Sequence, residues 1–220
     1  MFLSSYSNSE SDRERWNRKH RESLLDSASD VSSSPDALLE EAFAKYVLPL
    51  FPNGGAALDL AGGTGRHAIW LAKRGWDVTL IDVSDVGVEQ ARRNAGPVAS
   101  NIRFVVDDLT RFRASQTRLS GAEFSEAQFD LVVVFYYLER QIFPEILSAL
   151  RPGGLLIYKT HLRSSPGDQP QTNLTQRPKN PAYLLAPGEL LRLVDGMRIM
   201  HYREDLAGRP TAEVVAEKAF

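Results

Sequence analysis

From residue 56 onward, hydrophobic and polar positions alternate between two patterns. Short apolar runs predict strands at Ala56–Leu60, Asp77–Asp82, Ile102–Asp107, Asp130–Tyr136 and Leu155–Thr160. Asp130–Tyr136 is apolar almost throughout, as expected of a strand covered on both faces. Between these runs the spacing turns helical. Gly65–Arg74 predicts a helix closed by Gly75, and Ser84–Ala95 a helix capped by Ser84. Phe143, Ile146, Leu147 and Leu150 fall at i, i+3, i+4 and i+7, and Arg151-Pro152-Gly153-Gly154 breaks that helix. A long polar loop with four prolines covers roughly residues 162–183. Gly188–Val194 predicts a further helix, and the last strands lie near Met197–Tyr202 and Thr211–Lys218. No internal repeat is present. Strand–helix alternation predicts an α/β fold, a doubly wound, mostly parallel sheet of seven strands wrapped by helices. Ligands of such sheets bind at the carboxyl ends of the strands.

The first 55 residues read differently. Residues 1–11 are Ser-rich and are expected to be disordered. Residues 12–22 predict a short, highly charged helix around Trp16. A second Ser-rich stretch, 27–34, leads to Ser34-Pro35, which reads as an N-cap followed by proline at the first helical position. Leu38, Leu39, Ala42, Phe43, Tyr46 and Val47 follow at helical spacing, with Pro49 and Pro52 ending the helix. The chain therefore divides into a tail (1–11), an N-terminal helical segment (12–54) and one α/β domain (55–220).

Composition narrows the function. Charged residues make up 25% of the chain, and 26 Lys+Arg against 28 Asp+Glu give a net charge of −2. That leaves no excess for binding a polyanion. The longest strongly apolar run, Leu131–Leu138, is far shorter than the roughly 20 residues of a membrane span. The N-terminus has no basic stretch followed by an apolar one, so no secretory signal is read. Cysteine is absent, which excludes disulfides, thiolate zinc sites and a cysteine nucleophile. The expected compartment is the cytoplasm. Four scattered histidines offer no metal-ligand spacing.

The first strand ends Leu58-Asp59-Leu60-Ala61-Gly62-Gly63-Thr64-Gly65. Glycines there permit a tight turn and close approach of a ligand to the backbone, and the next helix opens with free N–H groups. The second strand ends at Asp82, 19 residues after Gly63, where a carboxylate can accept hydrogen bonds from both ribose hydroxyls. Two cofactor classes use this geometry. Gly63-Thr64-Gly65-Arg66-His67-Ala68 even fits the dinucleotide form. Three features favour S-adenosylmethionine instead: Asp59 before the glycines, Asp107-Asp108 at the end of the third strand, and the Arg-Pro-Gly-Gly, strand, excursion, helix and two-strand tail.

On these residues the sequence resembles the class I S-adenosylmethionine-dependent methyltransferases over about residues 12–220. Within them it is similar to the tellurite-resistance-type small-molecule enzymes. The matching segments are Arg15-Trp16-Asn17-Arg18-Lys19-His20, Leu58–Gly65, Phe129–Val134, Leu138-Glu139-Arg140 and Asn180–Leu190. The resemblance implies that Asp59, Ala61, Gly62, Gly63, Thr64 and Gly65 line the methionine end of the cofactor. It implies that Asp82 holds the ribose, that Val83 packs on the adenine, that Asp108 or Asp107 faces the adenine amino group, and that Leu109 is among the cofactor-binding residues. Phe135 and Tyr136 would floor the space between cofactor and substrate. Trp16 and His20 would form an N-terminal lid over the sulfonium, and Arg140 would lie on the substrate side. Two departures stand out: Lys159 replaces an acid expected at the end of the fifth strand, and residues 113–127 form a longer connection than usual.

Methyl transfer from a sulfonium is an in-line displacement, so the protein chiefly aligns a nucleophile and excludes water. If a base is used, His20, Tyr136 and His161 are the candidates. Lys159, His161, Arg163 and Arg140 could form a cationic mouth, whereas His67 is expected to face solvent. Phe135-Tyr136-Tyr137-Leu138 stands where enzymes of exocyclic base amines carry Asn/Asp-Pro-Pro-Tyr/Phe, which disfavours a nucleic-acid partner. The sequence thus predicts methylation of a small molecule: a metalloid or chalcogen oxyanion, a thiol or a small organic acid. A non-catalytic nucleotide-sensing protein and an NAD-dependent oxidoreductase are the alternatives, and the oligomeric state stays open.

Overall fold

The protein is described by a computed structural model covering residues 9–25, 34–111, 118–119, 122–123, 127–163, 181–206 and 209–219. Strands β1 (Ala56–Leu60), β2 (Asp77–Asp82) and β3 (Ile102–Val106) are followed by a two-stranded ladder of β4 (Arg118–Leu119) and β5 (Ala122–Glu123). Then come β6 (Phe129–Phe135), β7 (Leu150–His161), β8 (Arg198–Asp205) and β9 (Thr211–Glu217). The helices are α1 (Ser9–Leu25), α2 (Ala37–Ala42), α3 (Leu48–Leu50), α4 (Arg66–Ala72), α5 (Asp85–Ala95), α6 (Phe143–Ala149) and α7 (Glu189–Leu193).

Seven strands form the main sheet in the order β3-β2-β1-β6-β7-β9-β8. β1 pairs in parallel with β2 and β6, and β9 runs antiparallel between β7 and β8. The chain order reverses between β1 and β6, which opens a crevice at their carboxyl ends. Side chains alternate across the sheet. Leu58, Leu60, Val132, Val134, Leu156 and Tyr158 pack into one core, and Ala57, Leu131, Val133, Leu155 and Ile157 into the other. Both faces are therefore dry, as the apolar β6 sequence requires. No helix among the described residues is long and apolar enough to cross a membrane.

Four details differ from the sequence reading. α1 begins at Ser9, inside the segment expected to be disordered. The cap of α2 is Asp36, not Ser34: its carboxylate accepts from the Leu38 N–H at 3.1 Å, and Pro35 precedes the cap. The helix also passes Pro49. A π turn, Phe43–Val47, lets Leu48 donate to the Phe43 carbonyl, and the widened turn tolerates the ring that a regular turn would reject. Finally, β7 starts at Leu150 and runs through the Arg-Pro-Gly-Gly break. Its register with β6 shifts between Phe129 and Leu131, and Gly153 takes a φ of 76°. Most of the long 113–127 connection and residues 164–180 lie outside the described residues, as do 1–8 and 26–33.

Arg140 anchors the segment that returns to the sheet. Its Nε and Nη2 donate to Glu189 at 2.5 and 3.1 Å, Nη1 to the Ala182 carbonyl at 2.7 Å, and Nη2 to the Leu184 carbonyl at 3.0 Å. Arg140→Met should cost about 1–2 kcal/mol in chemical denaturation, a range lowered because the guanidinium is partly exposed. It should also expose residues 181–189 to hydrogen exchange.

Candidate functional site

The turn after β1 winds through three residues with positive φ: Ala61 at 56°, Gly63 at 54° and Gly65 at 83°. Ala61 holds this conformation despite its Cβ, the kind of strain that collects at sites. The glycines do different jobs. A Cβ on Gly62 would lie 2.8 Å from Leu80 and 2.9 Å from the Asp59 carboxylate, and one on Gly65 would lie 2.8 Å from Ala91. Those two positions pack the loop against the sheet and α5. A Cβ on Gly63 would meet only the His20 ring, so Gly63 faces the crevice. Asp59 does not line the crevice as the resemblance implies. It is 1% exposed and accepts the Ala68 N–H at 3.1 Å, holding the start of α4 from below. Burial pushes its carboxyl up to about 7.

Asp82 ties the loop to the next turn. One carboxylate oxygen accepts the Gly63 N–H at 2.9 Å and the other the Ser84 N–H at 2.8 Å. Burial raises its pKa, against the pull of those hydrogen bonds. At the end of β3, Asp107 donates its N–H to the Asp82 carbonyl at 3.0 Å. One oxygen of Asp108 accepts from the Thr110 N–H and hydroxyl, while Oδ2 is buried without a hydrogen-bond partner. Leu109 and Phe135 are buried beside this crevice, and Val83 and Thr64 sit in the flanking turns. The donor set fits an adenosine: a carboxylate for the diol, a waiting acceptor for an exocyclic amine, and an open glycine for close backbone approach.

α1 lies across the β2–α5 turn. The Asn17 amide donates to Asp85 at 2.7 Å and accepts from the Ser84 hydroxyl at 2.6 Å. Arg13 donates to the Val83 carbonyl at 3.1 Å, and Arg15 stands over the Tyr183 ring. Trp16 is half-buried under Lys19, whose ammonium is 4.5 Å from the ring centroid. His20 extends to Gly63 and Gly87.

The ends of β6 and β7 carry a second polar group. Tyr136, with φ of 59°, donates its hydroxyl to Asp36 Oδ2 at 2.7 Å. Lys159 donates to Asp36 Oδ1 at 3.0 Å and lies 3.4 Å from Glu213. Burial works to raise the Asp36 pKa, but the Tyr136 and Lys159 hydrogen bonds prevail and hold it below the usual carboxylate range. Burial, then Asp36, raises the Tyr136 phenol. His161 stacks 5.2 Å from Tyr136. The expected cationic mouth is therefore absent at these residues: Lys159 faces two carboxylates, and Arg140 is committed to Glu189. His67 is not in solvent either. It is 4% exposed, accepts the Asp36 N–H at 3.3 Å and packs 4.2 Å from Phe135. Burial, then the charge of Arg66, lowers its pKa to about 3. Asn17, Asp36, Gly87 and Glu213 were not singled out by the sequence. Their partners lie far away in the chain, and only the Asn17 segment carried a signal.

Comparison with known proteins decides the class: residues 57–154 match the family described as "Methyltransferase domain". Over those residues the chain matches a methyltransferase domain. Among curated relatives, the chain is 29% identical over 130 residues to Bacillus subtilis YqeM, a protein named only as a methyltransferase (55% of this chain, 48% of the relative). It is 30% identical over 135 residues to the tRNA 5-carboxymethoxyuridine methyltransferase of Escherichia coli K12 (57% of this chain, 48% of the relative). The chain spans about half the length of these relatives. Among solved structures, TehB from Haemophilus influenzae superposes with a TM-score of 0.63 at 16% identity (86% of this chain, 64% of that one). That likeness shows a shared fold.

Two measurements test the site. Asp82→Asn should weaken calorimetric affinity for S-adenosylhomocysteine by about 10- to 100-fold, the worth of hydrogen bonds to a charged group. For His67 the folded pKa lies below the unfolded value of 6.5. Its contribution is thus complete above pH 6.5 and is lost as pH falls toward about 3. His67→Gln keeps a neutral acceptor for Asp36. Its denaturation midpoint should fall less steeply than wild type across that window.

Proposed function

We propose that the protein transfers a methyl group from S-adenosylmethionine to a small acceptor that is neutral and carries the proton it loses. The observation that supports this is the Asp36–Tyr136–Lys159–Glu213 cluster beside the glycine crevice. Lys159 is shared between the Asp36 and Glu213 carboxylates, so the cluster carries no surplus positive charge, which weighs against an oxyanion and in favour of a thiol, hydroxyl or similar group. The cofactor supplies an electrophilic methyl on a good leaving group.

The chain's own residues do the rest. Asp82, Asp108 and Gly63 hold the nucleoside end. Phe135 and His67, packed together, close the floor against water. Tyr136 donates its hydroxyl hydrogen bond to Asp36, so its oxygen lone pairs can accept from an acceptor X–H and orient X. Asp36, ionised and held below the usual range, positions Tyr136 and is a poor base. The acceptor proton leaves to solvent as X bonds the methyl.

One competing reading is favoured by the relative named for tRNA methylation: an RNA acceptor. The net charge of −2 weighs against it. The test uses methyl-labelled cofactor with four acceptors offered separately: small thiols, phenols and hydroxy acids, selenite and tellurite, and bulk tRNA. Label should enter a neutral small molecule. Tyr136→Phe should then raise KM for that acceptor about 3- to 10-fold, one hydrogen bond's worth, without changing S-adenosylhomocysteine affinity. Label confined to tRNA or to the oxyanions overturns the small neutral acceptor. Tight cofactor binding with no transfer to any of them makes the protein a sensor.

A further inference from the structure

His20 sits over the turns that follow β1 and β2. Its ring sits between two glycines that lack the atoms it would strike. Nε2 and Cδ2 are each 3.0 Å from where a Gly87 Cβ would stand, and Cε1 is 3.5 Å from where a Gly63 Cβ would stand. Gly87 lies in the first turn of α5, a helical position where glycine is normally a loss. The space it leaves is filled by the imidazole. The same ring is close enough to Asp82 for each to act on the other's charge. α1 is pinned there independently, through Asn17 on Ser84 and Asp85 and Arg13 on Val83. All of these contacts but the one to Gly63 fall on the β2–α5 turn that follows Asp82.

We propose that α1 is a ribose latch: His20, seated in the Gly87 notch and held in register by Asn17, joins Asp82 in binding the cofactor's ribose hydroxyls. The proposal rests on the S-adenosylmethionine reading. Cofactor binding and α1 docking are then one event. The imidazole nitrogens are polar partners for a hydroxyl, and the helix closes over the nucleoside.

The experiment titrates S-adenosylhomocysteine into the full chain and its variants and follows hydrogen exchange of the α1 amides. In wild type the ligand should slow α1 exchange. His20→Ala should weaken binding about 10-fold and abolish that slowing. Gly87→Ala should weaken binding about 3- to 10-fold while leaving Tm unchanged or higher, because alanine suits the helix but crowds the imidazole. A rise in Tm with unchanged affinity would mean the notch is only structural, and would overturn the latch. Faster α1 exchange with ligand, or tighter binding by His20→Ala, would also overturn it, since His20 would then be displaced by the cofactor. Failure of wild type to bind S-adenosylhomocysteine would strike the cofactor reading itself. Unchanged affinity in His20→Ala, with Asp82→Asn impaired, would remove the latch alone.

Discussion

The site depends on one carboxylate. Asp82 accepts the Gly63 N–H with one oxygen and the Ser84 N–H with the other. The first bond fixes the turn after β1, and the second fixes the start of α5. Both turns leave neighbouring parallel strands, where the Gly62 N–H also donates to the Ile81 carbonyl at 3.2 Å. Two backbone donors on one buried carboxylate make a stiff bridge between them. The bridge leaves further lone pairs on the same oxygens for a diol. In the proposed reading, structure and recognition share atoms. The energetic cost of burying Asp82 is offset by bonds that also shape the crevice.

A second residue plays the corresponding part at the other end. Asp36 caps α2, accepts from Tyr136 and Lys159, and gives its own N–H to His67. It joins the N-terminal segment to β6, β7 and α4 through a single side chain and its backbone. Tyr136 is bulky and held at positive φ. Such a conformation persists only where its surroundings over-determine it. The Asp36 hydrogen bond and the His161 stack supply that constraint. The acid absent from the end of β7 is thereby supplied from outside the sheet, and Lys159 becomes its counterion.

These two hubs show what the sequence carries and what it does not. Strands β1, β2, β3, β6 and β7, the glycine loop, Ser84 as a cap and the Asp82 position were legible because each is a local pattern: an apolar run, a turn chemistry, an acid at a strand end. The starts of α1 and α2 were misplaced by a few residues, where Ser-rich sequence offered several caps of similar quality. The π turn before Pro49 was illegible because proline normally stops a helix. Asp36 was hidden for another reason. Nothing local distinguishes a capping aspartate from one that also pairs with a lysine 123 residues away. His67 was read as exposed because its position after the glycines is shared by helices that face solvent; here α2 covers it.

The electrostatics of the buried groups follow from this construction. Asp59 is pushed up to about 7 and His67 down to about 3, so both resist charge for the same reason, burial. Their effects on stability have opposite signs. The Asp59 contribution is complete below 3.8 and is lost as pH rises through about 7. The His67 contribution is complete above 6.5 and is lost as pH falls toward about 3. The two windows overlap, so the slopes partly cancel, and the pair flattens the pH dependence that either would impose alone. Both groups pin α4, Asp59 through Ala68 and His67 through Asp36. The helix that follows the glycine loop thus stays in place over a broader pH range than a single buried ionisable group would allow. That steadiness would serve the proposed methyl transfer, where alignment of the nucleophile supplies much of the acceleration.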